Sequence, residues 1–315
     1  MLYITGITGH SGKWLLKRLA SEGYRGKIRC VMRDSRDNAP EKYCIFDKCN
    51  LDIEFAVGKL EDEKFLTESM TGIHTIIHIA GIIHSPKIVD AAIRNHVDWV
   101  ILVHTTGRFS KYKSASEVYI KIEDEITDHK VFSESGDRIL NCTVLRPTMI
   151  YGSSGDKNMY RLIGYLKERK VFPLFGNGQN LMLPVHARDL GNAYYDILMN
   201  SEQTKNKEYN LSGKAPITYL NIIKAIRSYL GSNIIIIPLP ISFSIFAAIV
   251  YNALFKNAII TVEQVKRMQE DKAFSHADAI RDFDYNPISF EIGIQEEIDE
   301  YKNGIRVNYS GAKYQ

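Results

Sequence analysis

The stretch LYITGITGHSGKWLLKRLAS, residues 2–21, decides how this chain is read. Leu2 to Thr5 are apolar or β-prone, as a strand requires. Gly6, Gly9 and Gly12 follow at intervals of three. Lys13 to Ser21 then carries Trp14, Leu15, Leu16 and Leu19 at helical spacing. A strand that turns through glycine into a helix gathers unpaired backbone N–H groups at the positive end of the helix dipole. Gly6 permits the sharp exit from the strand. Gly9 lets a pyrophosphate approach the backbone, and Gly12 lets the helix pack close to the sheet. Thr8 and Ser11 add hydroxyl donors, and His10 lies between them. Such a triplet also serves as a tight turn without a ligand. Its place, between a strand and a helix at the head of an alternating pattern, favours a dinucleotide site.

The alternation continues outward. Strand-like segments recur at KIRCVMR (27–33), LDIEFAVG (51–58), IHTIIHIAG (73–81), VDWVILVHTT (97–106) and NCTVLRP (141–147). Helical segments separate them, at 62–70, 86–96 and 114–129. Continuous apolar strands alternating with helices predict a parallel sheet covered on both faces. The expected fold class is therefore α/β, a doubly wound (Rossmann) sheet with a smaller, interleaved C-terminal substrate lobe. Residues 1–150 plus about 184–213, where KEYNLSG returns a late strand, would form the dinucleotide domain. Residues about 151–183 and 214–315 would form the lobe.

Composition narrows the function. The 315 residues carry 40 basic and 37 acidic side chains, a net charge of +3. That balance argues against nucleic acid as the main partner, since phosphate binding needs a clear basic excess. Cys30, Cys44, Cys49 and Cys142 make no CxxC pair and read as reduced thiols of a cytoplasmic protein. The start MLYITG lacks the features of a secretory signal. Ile234 to Phe255 is apolar and uncharged, but Pro238 and Pro240 interrupt it. About 15 residues remain, against about 20 for a bilayer span. An extended piece, a Pro-Leu-Pro turn and a buried or partner-covered helix are expected, and membrane contact is not.

Written as Thr5-Gly6-Ile7-Thr8-Gly9-His10-Ser11-Gly12, the turn resembles that of the short-chain dehydrogenase/reductase superfamily. The likeness is to its extended and atypical branches, which include nucleotide-sugar epimerases, dehydratases and reductases. HIAG (78–81), VLRPTMIYG (144–152), LPVHARDLGNA (183–193), ITYLNII and the segment DFDYNPISFEIGIQEEIDEY carry it further along the chain. The resemblance implies NAD or NADP beside Leu60, Ala80, Gly81 and Pro147, a small-molecule substrate, and by analogy a homodimer. NAD binding commonly uses an acid at the end of the second strand. Arg33 occupies or adjoins that position, with Arg36 nearby, and a guanidinium suits a 2′-phosphate. NADP is therefore preferred, while Asp34 keeps NAD open. Lys59 stands where relatives commonly have Asp.

The resemblance also implies a catalytic Tyr, a Lys four residues later that holds the nicotinamide ribose, and a Ser or Thr ending the fifth strand. Thr106 matches the last. The helix fits no single register: Lys121 is preceded at four by Glu117, and Tyr119 is followed at four by Glu123. Tyr119 and Lys121 sit about 200° apart around a helix, so they cannot share a face. Three readings follow. Lys121 holds the ribose with Tyr112 as acid/base; Tyr119 acts with another cation; or the site binds cofactor with little or no turnover, as a regulatory or assembly protein would. Tyr112 and Tyr119 also suit plain packing roles. Met182 stands four before His186, where nucleotide-sugar enzymes often carry Arg. Arg161, Lys167 or Arg188 would have to compensate, although Arg188 with Asp189 reads as a structural pair. His186 reads as a buried, hydrogen-bonded histidine.

Overall fold

The computed structural model describes residues 1–156, 158–254 and 262–303. The first half runs β1 (Leu2–Thr5), α1 (Gly12–Ser21), β2 (Ile28–Met32), α2 (Pro40–Tyr43), β3 (Ile53–Val57), α3 (Glu63–Ser69), β4 (Thr75–His78), α4 (Ser85–Arg94), β5 (Trp99–Val103), α5 (Lys113–Asp124) and β6 (Asn141–Pro147). The second half adds β7 (Ile150–Tyr151), α6 (Met159–Glu168), β8 (Val171–Phe175), β9 (Leu181–Met182), β10 (Val185–His186), α7 (Ala187–Met199), α8 (Ser201–Thr204) and β11 (Glu208–Leu211). It closes with β12 (Ile217–Thr218), α9 (Tyr219–Leu230), β13 (Ile235–Leu239), α10 (Ile241–Leu254), α11 (Val262–Arg267), α12 (Ala277–Phe283) and α13 (Phe290–Lys302).

Seven strands form one sheet in the order β11-β6-β5-β4-β1-β2-β3. Every pairing in it is parallel. The order reverses between β1 and β4, and the crevice at such a reversal, beyond the strand C-termini, is where doubly wound folds take ligands. β5 is wholly buried because helices cover both of its faces. One core under the sheet joins Ile4, Leu15, Leu16 and Leu19 to Leu190 and Tyr194 of α7. The opposite core joins Tyr3, Ile76 and Val100 to Ile88 and Val89 of α4. A third gathers Ile163, Leu174, Ile222, Ile226 and Ile294, and belongs to the second lobe.

α1 and α7 approach closely because Gly191 has no side chain; a Cβ there would lie 2.6 Å from the Leu15 amide nitrogen. KEYNLSG does return to the sheet, as β11 beside β6. Ala279, Phe283 and Tyr285 pack into the core under the sheet, so α12 is tied to the dinucleotide side although its sequence lies within the C-terminal stretch. Phe255, which ends the apolar segment quoted above, and residues 304–315 of the expected lobe lie outside the described residues.

Candidate active site

The glycine turn is built as tightly as its spacing demands. Gly6 has φ of 74°, and a Cβ on it would lie 2.8 Å from the Ala80 nitrogen. A Cβ on Gly12 would lie 2.3 Å from the Gly6 carbonyl oxygen. The Gly9 N–H donates to that same oxygen at 2.9 Å. The first turn of α1 contains no acidic residue, so no carboxylate of that turn neutralises the positive end of its dipole. Thr8 sits half-buried in the turn. Two neighbours point elsewhere than expected. The Ser11 hydroxyl is buried and meets the Tyr194 hydroxyl at 3.2 Å, so it braces α1 against α7 instead of lying open at the turn. His10 Nδ1 meets the Ser153 hydroxyl at 2.8 Å, tying the turn to the second lobe. Burial holds its imidazole down at about 4, hence neutral.

The end of β4 forms the facing wall. His78 is fully buried, and Nε2–H donates to the Gly81 carbonyl at 3.0 Å. A carbonyl only accepts, so Nδ1 is the bare nitrogen and takes the Thr5 hydroxyl proton at 2.7 Å. The Ala80 N–H in turn approaches Thr5 Oγ1 at 3.4 Å. Burial, then the nearby His104 and His84, push the His78 pKa down to about 3. Sequence reading found no metal role for His78; its role is to hold β1, β4 and the following turn in one register. Gly81 has φ of 114°, and a Cβ on it would enter open space.

Beyond β2, Arg33 is exposed. Asp34 takes Lys42 Nζ at 2.6 Å, and that hydrogen bond holds its carboxyl below the ordinary range. Arg36 is paired with Asp47. Of the two arginines, then, Arg36 is already engaged by a carboxylate. Leu60, after β3, is half-buried against the upper core.

α5 resolves the conflict of registers. Tyr119 lies over Gly107, where a Cβ would come 3.1 Å from its ring. Lys121 points the other way: it is 73% exposed and pairs with Glu117 at 2.9 Å. It does not reach the side of the helix that faces the sheet, which corrects its assignment as ribose ligand. Tyr112 immediately precedes α5, half-buried, and its carbonyl accepts the Ser116 hydroxyl at 3.2 Å. Thr106 is buried, and its hydroxyl donates to the Pro147 carbonyl at 3.1 Å. That proton is engaged, against the expectation of a hydroxyl open to substrate; only its lone pairs remain to accept.

Glu123, four residues after Tyr119, is the residue that sequence reasoning passed over. It is fully buried. Oε2 meets His104 Nδ1 at 2.7 Å, and Oε1 takes Arg146 Nε at 2.8 Å and Nη2 at 2.5 Å. Arg108 also bonds to Oε1 and reaches Asp124 at 3.0 Å. The second nitrogen of His104 meets the Ser85 hydroxyl at 3.0 Å. Burial would raise the Glu123 carboxyl, but hydrogen bonds from His104 and Arg146 and their charges win and hold it at about 2. Burial lowers His104, with Glu123 opposing. The position that the resemblance reserves for a lysine holds an anion matched by two guanidiniums.

The cations named for a substrate pyrophosphate are mostly engaged. Arg188 pairs with Glu296 at 3.2 Å rather than with Asp189, whose carboxylate instead accepts the Ile288 N–H. Lys167 lies 4.9 Å over the Tyr301 ring, and Arg161 is exposed. Met182 is buried in the apolar core of the lobe. His186 is buried as expected, and Nδ1 accepts the Arg188 N–H at 3.2 Å, capping α7. The segment after β5 is roofed by the second lobe. Ser110 donates to Glu270 at 2.9 Å, and the Lys111 N–H does so at 2.6 Å.

Residues 2–104 match the NAD dependent epimerase/dehydratase family. A curated relative, the mitochondrial NADH dehydrogenase [ubiquinone] 1 alpha subcomplex subunit 9 of Dictyostelium discoideum, is 24% identical over 229 residues. The match takes in 69% of this chain and 60% of that protein. Among solved structures, UDP-glucuronic acid 4-epimerase from Bacillus cereus, with UDP-glucuronic acid and NAD, superposes with a TM-score of 0.73 at 15% identity. It covers 96% of this chain and 99% of that one. A dTDP-glucose 4,6-dehydratase double mutant from Streptomyces venezuelae, with NAD bound, gives 0.72 at 15% identity, covering 96% and 97%. At such identities the likeness shows the fold.

Proposed function

From the premise that residues 2–104 carry the NAD dependent epimerase/dehydratase pattern, we propose that this chain binds a nicotinamide dinucleotide across its glycine turn. The carrying observation is the turn itself, where the Gly6 and Gly12 positions leave no room for a side chain and α1 begins without an acid. The residues fit the group: the amides after Gly9 take the diphosphate, and Arg33 takes a 2′-phosphate, which favours NADP. The open space at Gly81 leaves the wall of Ala80 and Pro147 free to flank the cofactor.

A bound nicotinamide supplies hydride exchange with a substrate carbon. The chain's own residues orient the substrate oxygen. Tyr119 exchanges its proton, and Thr106 accepts a hydrogen bond while its hydroxyl is held by Pro147. The substrate is a small carbonyl or hydroxyl compound, and the structural neighbours solved with sugar nucleotides support that class.

One observation favours a second reading, dinucleotide binding with little or no turnover. Glu123 stands where the helper lysine should be, and its charge is already taken up by Arg146 and Arg108. The likeness to a protein named as a subunit of an NADH dehydrogenase alpha subcomplex supports this reading too. Fluorescence titration with NADPH and NADH, followed by a panel of sugar nucleotides and simple ketones read at the nicotinamide band, separates the two. Turnover lost in Tyr119→Phe supports the enzyme. Binding with no turnover on any substrate supports the second reading, and no binding sinks both.

A further inference from the structure

The apolar segment around residue 245 is not buried as expected. α10 packs chiefly against α11. Phe243, Phe246 and Ile249 are 57%, 63% and 52% exposed, and their spacing of three puts them on one side of the helix. β13, one residue upstream, adds Ile235 and Ile237, which share one side of the strand and are also exposed. A monomer rarely leaves so much contiguous apolar surface in water without a use for it.

Charge says what covers it. Between Glu208 and Glu263 the sequence has no Asp or Glu, while Lys214, Lys224, Arg227 and Lys256 fall within it. A groove of ≈ 560 Å³ beside β13 places Lys224 and Arg227 next to Leu220, Ile235 and Pro238. Arg169 and Lys170, exposed, lead into the paired strand β8. The helix as described, 14 residues, is too short to span a bilayer. Fourteen residues reach about 21 Å, against about 30 Å of hydrocarbon, and no helix among the described residues is long and apolar enough to cross. An uncharged apolar helix near a groove that holds Lys224 and Arg227 suits the plane of an interface carrying negative headgroups. The lining of that groove holds Lys224 and Arg227 and no Asp or Glu, so its charge complements lipid phosphate.

We propose that this face docks on an anionic phospholipid bilayer, with Phe243, Phe246 and Ile249 entering the acyl boundary and Lys224 and Arg227 meeting lipid phosphates. The surface is separate from the dinucleotide turn, so the two bindings can be tested apart. Flotation of the full chain is compared on phosphatidylcholine vesicles with and without about 30 mol% phosphatidylglycerol. The protein floats with the anionic vesicles at low salt and is released at high salt. Phe243→Ser/Phe246→Ser and Lys224→Glu/Arg227→Glu each lower the bound fraction about tenfold or more, with NADPH affinity and unfolding temperature unchanged. Absence from the anionic vesicles overturns the proposal. So does equal binding to neutral vesicles, or wild-type flotation by either variant. A concentration-dependent dimer abolished by Phe243→Ser/Phe246→Ser, without flotation, also overturns it and gives the face to a second copy.

Discussion

The glycine turn and helix α5 meet the same crevice, yet they relate to their sequence pattern in opposite ways. At the turn, the three glycines are demanded by backbone contacts, of Gly9 and Gly12 with Gly6 and of Gly6 with Ala80, and their expected geometry is present. On α5, the expected lysine is displaced to solvent and a glutamate takes the inward place, four residues after Tyr119. On the proposed function, cofactor binding and catalysis therefore rest on separate residues. The first needs bare amides at a helix start. The second needs a charge of the right sign beside a phenol.

The sharpest way to break that contrast is Glu123→Ala. It leaves buried Arg146 with Glu208 as its remaining carboxylate and removes the carboxylate partner of His104. Breaking a buried ion pair by losing one member costs about 3–5 kcal/mol. Urea unfolding measures it, and the loss depends on pH. The folded carboxyl, held at about 2, lies below its ordinary 4.5. Its stabilisation is thus full above about 4.5 and fades as pH falls toward about 2. Wild type and variant should converge at acid pH; an unchanged gap at pH about 3 would show that the network is not held by this charge.

Next in size is Gly12→Val, whose Cβ would collide with the Gly6 and Ile7 backbone. Overpacking of that kind costs about 3 kcal/mol, and calorimetry should show dinucleotide binding lost even where the protein remains folded. Retained affinity would mean that the turn is structural only. Arg33→Ala is milder: NADPH affinity should drop about tenfold, the scale of one lost charge-assisted contact, with NADH little changed. Equal effects on both ligands would remove the NADP preference. Lys121→Ala should do least, within about 0.5 kcal/mol in stability and with no change in cofactor affinity. A large fall in affinity would return Lys121 to the ribose.

Much of this was legible in residue order. Local rules act at short range, so the strand-turn-helix start, the apolar strands and the late return of KEYNLSG all emerge from neighbours in sequence. Glu123 was not legible because its partners come from afar: His104 ends β5, and Arg146 lies on β6. Which face of α5 turns inward is chosen by that network, and helical spacing alone left it open. The hydroxyls of Thr106 and Ser11 meet Pro147 and Tyr194, contacts that only the fold brings together. The exposure of Phe243 and Phe246 is likewise a tertiary fact, since an apolar helix reads as buried until its neighbours are known.

Calorimetric titration of the full chain with NADPH and with NADH bears most directly on all of this. Saturable one-to-one binding, tighter for NADPH and lost in Gly12→Val, is the outcome that the turn's geometry requires. No heat of binding with either dinucleotide at millimolar concentration would contradict it.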